Sequence, residues 1–270
     1  TDRDAVREAA RQAGVTCCVI PAVHAAHWPQ VAQLAEQHGD AYALGIHPLF
    51  VPHAQEQDLI FLAQCIESAL AQDANGQRTD PSLVALGEIG LDFFVPALCE
   101  PVMREKQEFF YHAQLKIAQK FKLPVIVHVR KSADQLLSGL RRCAIRGGIA
   151  HAFNGSLQQA QAFVELGFVL GFGGTVTFDR ALQIRRLATQ LPLSSIVLET
   201  DAPDIPPAWL RNEGIAHNAP QFIPRIGAEL AALRQMDITA FAAATWSNAL
   251  TALPRPRQQA LALQRRDRRL

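Results

Sequence analysis

Four polar side chains combine residue types and positions that suit a metal site. Glu88, His128, His151 and Asp201 close the short apolar runs LVALGE, PVIVH, GGIAH and SSIVLETD. These runs are rich in β-branched residues, as buried strands are, and a helix-like segment follows each. Two carboxylates and two imidazoles are suitable ligands for a divalent metal. The pattern predicts a metal-dependent hydrolase, provided that the fold brings the four side chains together.

A parallel barrel would do so, because the carboxyl ends of its strands share one rim. Strands are predicted at residues 15–20, 41–45, 83–87, 124–128, 148–151, 168–172 and 195–199. Helical periodicity is predicted at residues 4–13, 28–38, 59–71, 102–122, 133–143, 157–166, 181–190, 220–234 and 239–249. Ser156 and Asp237 are suitable N-caps for two of these helices. Strict alternation of strands and helices indicates a parallel sheet.

Seven strands are one fewer than a closed eight-stranded barrel needs, and the chain opens on a predicted helix. We therefore expect a (β/α)8 TIM barrel whose first strand is missing from this chain. No Gly/Ser-rich linker or internal repeat divides the sequence, which predicts a single domain at residues 1–253. Residues 254–270 form a separate basic tail.

Each candidate residue also has a structural interpretation. Glu88 could cap a helix or join a salt bridge, and a histidine after an apolar run is often a satisfied core residue. Position at a barrel rim favours metal ligation for Glu88, His128 and His151. Asp201 could be a ligand, a general base or both.

Two further residues are candidate substrate contacts. Arg130 follows His128 by two positions, so both side chains would point to the same side, where a cation suits a phosphate or carboxylate. His47, in the sequence GIHP, follows a predicted strand. For His47, a contact to the substrate or to a metal ligand and a purely structural hydrogen bond stay equally open.

Composition restricts the class of protein. Hydrophobic residues make up 49% of the 270 residues and charged residues 19%, as in cytosolic globular enzymes. The five cysteines have no framework spacing, no apolar run could span a bilayer, and the charged N-terminus is not a signal peptide. We therefore expect a cytoplasmic protein with reduced thiols, no membrane association and no obligate protein partner.

The net charge of +1 is unevenly distributed. The last 17 residues hold six arginines and one aspartate, so the body has 20 basic and 24 acidic residues, a net charge of −4. Such a body does not offer a broad basic surface for long nucleic acid. A nucleic-acid substrate would have to be bound locally. The tail could contact phosphates, although a solvated terminus is the stronger interpretation.

Other enzyme classes lack their motifs. The sequence has no G-x-S-x-G elbow, no Walker A loop and no H-E-x-x-H motif. The segment GFGG at residues 171–174 does not complete G-x-G-x-x-G, and it is better explained as a strand end and tight turn.

Taken in order and spacing, GEIGLDF, VIVHVRKS, HAFNGS and ETDAP resemble the TatD-type metal-dependent deoxyribonucleases of the amidohydrolase superfamily. The similarity covers almost the whole chain. The resemblance implies a TIM barrel with a one- or two-metal site that hydrolyses phosphodiesters, with DNA single strands or strand ends as substrate. It implies that Glu88 bridges two metals, that His128 and His151 complete one site, and that Asp201 orients the attacking water in the other.

The sequence departs from the family in one important respect. The family opens with D-x-H-x-H on its first strand, and this sequence has no such motif. Ala152 and Asn154 also stand where the family usually has Cys and Ser. The expected cofactor is one or two divalent ions, Mg²⁺, Mn²⁺ or Zn²⁺. The alternatives are a hydrolase of a small-molecule amide or ester, and a catalytically impaired relative that binds nucleic acid.

Overall fold

The computed structural model of the protein describes residues 2–253. Within them, parallel strands alternate with helices along the chain. The strands are β1 Val19–Pro21, β2 Ala41–Leu44, β3 Leu83–Asp92, β4 Val125–Arg130, β5 Gly148–His151, β6 Phe168–Phe172 and β7 Ile196–Leu198. The α-helices are α1 Arg3–Gln12, α2 Trp28–His38, α3 Glu56–Leu70, α4 Pro101–Phe121, α5 Ala133–Arg142, α6 Leu157–Glu165, α7 Leu182–Gln190, α8 Ala208–Asn212, α9 Ile223–Leu233 and α10 Ile238–Ala252.

The described chain forms two compact units. The first unit comprises residues 19–149 together with Ala252 and Leu253, and the second comprises residues 2–18 and 150–251. Within each unit the strands follow the chain order. In the first unit β1 pairs with β2, β2 with β3 and β3 with β4, and in the second unit β6 pairs with β7, all in parallel. The predicted seven strands and their parallel arrangement are confirmed.

The core of the first unit surrounds β3. All ten residues of β3 are buried, as expected for a parallel strand covered on both faces. Leu62 and Ile66 of α3 and Phe110 and Leu115 of α4 are almost fully buried as well. Two amide side chains of α4 secure the strand ends: Gln107 accepts from the Asp92 N–H, and Gln114 accepts from the Ile46 N–H.

The core of the second unit is aromatic. Phe153, Phe163 and Phe168 meet edge to face, with ring centroids 5.6 and 5.7 Å apart, a favourable arrangement for buried rings. Asn248 of α10 donates to the carbonyls of Leu193 and Ile196, which anchors that helix beside β7.

The predicted helix caps are confirmed. The Ser156 hydroxyl accepts from the Gln159 N–H, and the Gln159 side chain accepts in return from the Ser156 N–H. The Asp237 carboxylate accepts from the Ala240 N–H at the start of α10. The short helix α8 was not predicted, because five residues are too few to show helical periodicity.

Two strand boundaries were predicted wrongly. The strand expected at 15–20 begins only at Val19, because the apolar run before it continues the loop after α1. The expected strand at 83–87 would end before Glu88, whereas β3 continues to Asp92. Between Leu86 and Ile89 the strand holds two residues where β4 holds one, which is a β-bulge containing Gly87 and Glu88. Gly87 suggested the end of a strand. In the structure Gly87 lies in the bulge, and Gly87 and Gly90 allow β4 to approach closely because neither has a side chain.

No helix in the described range is long and apolar enough to cross a membrane. The predicted basic tail at 254–270 lies outside the described residues. The single domain predicted at 1–253 stays a prediction.

Candidate metal centre

The first unit gathers three predicted site residues and, as a fourth residue, a second carboxylate. Glu88 comes from the bulge of β3, Asp92 from its last position, His128 from β4, and His47 from the turn after β2. The His128 Nδ1 atom lies 3.1 Å from Glu88 Oε1, and His128 Nε2 lies 3.2 Å from Asp92 Oδ2. We call these four residues the Glu88–His128 cluster.

Asp92 determines where His128 carries its proton. Oδ1 of Asp92 accepts from the N–H groups of Phe94 and Val95, at 2.8 and 3.0 Å. Burial raises the pKa of Asp92, but the hydrogen bond from His128 and those two backbone donors outweigh it and lower the pKa to about 2. Because an ionised carboxylate only accepts, His128 must donate from Nε2.

A neutral His128 ring then presents a lone pair on Nδ1 to the carboxylate of Glu88. Two acceptors 3.1 Å apart need a proton or a cation between them. Burial lowers the pKa of His128, but hydrogen bonds with Asp92 and Glu88 and the charges of both carboxylates outweigh it and raise the pKa. The site thus attracts positive charge, and its nitrogen and oxygen donors fit a divalent ion.

His47 lies beside this pair. Its Nε2 atom is 3.0 Å from His128 Nδ1 and 3.5 Å from Glu88 Oε1, and one ligand atom from each of the three residues lies within 4.8 Å of the others. His47 Nδ1, however, accepts from the Leu49 N–H at 3.1 Å. A neutral His47 must therefore carry its proton on Nε2, which makes that atom a hydrogen-bond donor to His128 Nδ1 rather than a ligand.

The second unit repeats the arrangement with His151. His151 Nδ1 lies 2.8 Å from Glu199 Oε2, and Nε2 lies 2.8 Å from Asp201 Oδ1. Glu199 also accepts from the Ala152 N–H at 2.9 Å, and its carboxylate fits against Gly171, where any Cβ would collide with it. The Asp201 side chain is 40% exposed, so it can reach solvent and substrate. We call these residues the His151–Asp201 cluster.

The structure thus brings Glu88 together with His128, and His151 together with Asp201. The predictions did not include Asp92 and Glu199. A spacing signal exists for each, since Asp92 follows Glu88 by four residues in GEIGLD and Glu199 precedes Asp201 by two in ETD. Neither spacing says that the carboxylate faces a histidine nitrogen.

Arg130, the predicted substrate contact, lies at the end of β4. Its Nη1 atom is 3.9 Å from Asp92 Oδ2, and its side chain is 47% exposed. A half-exposed guanidinium next to a buried carboxylate is held in place and still open to an anionic ligand.

A cavity of about 620 Å³ lies in the second unit. Its wall includes Asn154, Phe178, Arg180, Ile205 and Arg211. Two arginines around an aromatic ring suit an anionic, partly apolar ligand, and the volume lies in the range of small-molecule sites.

Comparison with known proteins places these clusters in context. Residues 1–254 match the family model described as TatD related DNase. The chain is 38% identical over 252 residues to the uncharacterized metal-dependent hydrolase YjjV of Escherichia coli K12, covering 93% of this chain and 91% of that protein. It is 31% identical over 245 residues to the 3′-5′ ssDNA/RNA exonuclease TatD of Rahnella sp. Y9602, covering 87% and 86%.

The fold agrees with this sequence similarity. The crystal structure of YjjV, a TatD homolog from Escherichia coli K12, matches with a TM-score of 0.84 and 37% identity, covering 94% of this chain and 92% of that one. Together with the alternation of parallel strands and helices, this match confirms the predicted TIM-barrel fold.

Proposed function

The chain belongs to the TatD-related DNase family of metal-dependent hydrolases, and on that premise we propose that it cleaves phosphodiester bonds of DNA at single strands or strand ends. The observation that carries this proposal is the Glu88–His128 cluster, in which Glu88 Oε1 and His128 Nδ1 lie 3.1 Å apart and two carboxylates attract positive charge. The name of the Rahnella relative supports nucleic acid as substrate and adds RNA as a second polymer to test.

Glu88 and His128 would hold a metal ion in the first unit, and His151 and Asp201 would hold one in the second. A divalent ion would lower the pKa of a water molecule and neutralise phosphoryl oxygens. Asp92 and Glu199 would keep the imidazoles in the tautomers that offer a lone pair. Mixed nitrogen and oxygen donors suit Zn²⁺ or Mn²⁺, and Mg²⁺ is favoured once a phosphate joins the site.

The remaining residues would handle protons and the substrate. Asp201, with an exposed carboxylate, would accept the proton of the attacking water. Arg130 would hold a phosphate through its guanidinium. His47, with its proton on Nε2 and 3.0 Å from His128 Nδ1, would donate a hydrogen bond to a substrate oxygen once His128 holds the ion.

The test is cleavage of DNA and RNA oligonucleotides that carry a single label, at the 5′ end in one set and at the 3′ end in the other. Each set is incubated with Mg²⁺, Mn²⁺, Zn²⁺ or EDTA. We expect metal-dependent shortening of single-stranded DNA, and the labelled end that disappears first reveals the direction. Glu88→Gln keeps the side-chain volume and should lower the rate by more than about a hundredfold, since removing only the support of a metal ligand already costs about 10- to 100-fold. Glu67→Gln, an exposed residue of α3, is the matched control.

Two outcomes would contradict the proposal. Cleavage that persists in Glu88→Gln or in EDTA would show that the activity does not arise from this site. Binding of DNA without cleavage under any metal would instead favour the impaired nucleic-acid-binding relative.

The cavity of about 620 Å³ favours a second candidate, hydrolysis of an anionic small-molecule amide or ester. Arg211→Ala would then reduce turnover of the small substrate while leaving the cleavage of DNA unchanged. A panel of carboxylated amides and esters, assayed beside DNA, separates the two activities. A cytoplasmic location stays a prediction.

A further inference from the structure

An exposed aromatic ring with two cations lies next to the Glu88–His128 cluster. The Cζ atom of Arg130 lies 4.1 Å from the centroid of the Phe94 ring, and the Nζ atom of Lys131 lies 4.9 Å from it. Phe94 is 49% exposed, whereas Phe93, its neighbour in the chain, is only 7% exposed. The fold therefore buries one of two adjacent phenylalanines and leaves the other in solvent.

Phe94 is tied directly to the cluster. Its N–H donates to Asp92 Oδ1 at 2.8 Å, and Oδ2 of the same carboxylate faces His128. Arg130 approaches that oxygen too, at 3.9 Å. The ring and the guanidinium are therefore both positioned by the carboxylate that orients His128.

Neither cation blocks the ring permanently. An exposed cation over an aromatic ring is held weakly, and stacking of a nucleobase on such a ring is generally the stronger interaction. A base could therefore displace a cation from the ring, which would free that cation to contact a phosphate. Lys131, directly after the end of β4, also adopts the left-handed backbone conformation, with φ +55°, which is unfavourable for lysine.

We propose that Phe94, Arg130 and Lys131 form a subsite for one nucleotide of single-stranded nucleic acid. The base stacks on the Phe94 ring, and Arg130 and Lys131 contact the adjacent phosphates. The inference rests on the proposed function and specifies which feature of the substrate this end of the cluster recognises.

Such a subsite has two consequences for specificity. Stacking on an aromatic ring tolerates any base, because every base has a π-face, so little sequence preference is expected. A base inside a duplex is already stacked, so the subsite favours single strands and frayed ends over duplex DNA.

The test is calorimetric titration of unlabelled thymidine decamers in EDTA, which measures binding without cleavage. The decamers are intact or carry one abasic residue at each position in turn. We expect Phe94→Ala to weaken binding of the intact decamer about tenfold, equivalent to about 1.4 kcal/mol. Phe94→Trp should preserve the affinity, and Phe109→Ala, which removes an equally exposed ring (47%) from α4, should not change it.

A double-mutant cycle makes the test specific. At one position, the abasic residue should weaken wild-type binding as much as Phe94→Ala does, and combining both changes should cost nothing more, because each removes the same contact. The subsite would be refuted if the losses in binding free energy from Phe94→Ala and from the abasic residue added at every position. An affinity of Phe94→Ala within twofold of wild type would refute it as well.

The nuclease function and the nucleotide subsite can be refuted separately. Metal-dependent DNA cleavage with no effect of Phe94 would leave the proposed function intact and refute the subsite alone. A wild-type protein that neither binds nor cleaves nucleic acid would refute both.

Discussion

At the scale of single residues, His128 and His151 each lie between two carboxylates in different environments. Asp92 and Glu199 take backbone N–H donors as well as a histidine nitrogen, so their orientation is well defined. Glu88 and Asp201 face the opposite nitrogen of each ring. A carboxylate behind a ligating histidine fixes its tautomer and makes the opposite nitrogen a better ligand.

Asp92→Asn tests this role. The amide oxygen can still accept from Phe94 and Val95, but an NH₂ group would replace the oxygen that faces His128 Nε2. The ring would then prefer its proton on Nδ1, toward Glu88. We expect the affinity of the metal-free protein for Mn²⁺ or Zn²⁺ to fall by about 10- to 100-fold, measured by calorimetric titration.

Asp179→Asn provides the control, because its carboxylate is fully exposed. It should leave the metal affinity unchanged. A normal affinity in Asp92→Asn, with an unchanged unfolding midpoint, would show that Asp92 does not orient His128.

At the scale of secondary-structure elements, the bulge of β3 and its glycines position the first cluster. A Cβ at Gly87 would lie 2.6 Å from the Cβ of Ile126, and a Cβ at Gly90 would collide with the His128 carbonyl oxygen. Gly90 also has φ +146°, a conformation that side chains rarely allow. Strands β3 and β4 can approach this closely only because both positions lack a side chain.

Gly90→Ala should therefore destabilise the protein by about 3 kcal/mol or more, from backbone strain and overpacking together. Gly39→Ala, at the end of α2, isolates the strain, since Gly39 has φ +66° and nothing within 4 Å of an added Cβ. It should cost only about 1–2 kcal/mol. Chemical denaturation measures the free energy of unfolding of both variants. An equal loss in the two would show that contact with β4 adds nothing to the backbone strain at Gly90.

At the scale of the whole molecule, charge distribution limits how nucleic acid can be bound. Without residues 254–270 the chain carries a net charge of −4, so it lacks the excess of basic residues that nonspecific DNA binding uses. Binding should depend on a few local contacts, of which Arg130 and Lys131 are the candidates in the first unit.

The salt dependence of binding measures this directly. Two phosphate contacts on a single strand predict a slope of log K against log salt of about −1.4. Replacing all six tail arginines by glutamine should leave that slope unchanged. The six are Arg255, Arg257, Arg265, Arg266, Arg268 and Arg269. A markedly steeper slope that these substitutions abolish would assign the binding to the tail.

Several features were accessible from the sequence because their signals are local. Apolar β-branched runs predicted all seven strands, and the residue types at their ends singled out Glu88, His128, His151 and Asp201. The family resemblance is confirmed by the match over residues 1–254. The end of β3 was wrong because a glycine in a bulge and a glycine after a strand have the same local sequence signal.

By itself, the sequence determined the alternation of strands and helices, the class of metal-dependent hydrolase and the candidate side chains for an ion. Only the tertiary structure decided which carboxylate faces each nitrogen of His128 and His151, that His47 Nε2 meets His128 Nδ1, and that Phe94 rather than Phe93 is exposed. The physical reason is that these properties depend on contacts between different elements of the fold. Spacing along one strand indicates a face of the sheet, but it does not specify the partner that a neighbouring strand places there.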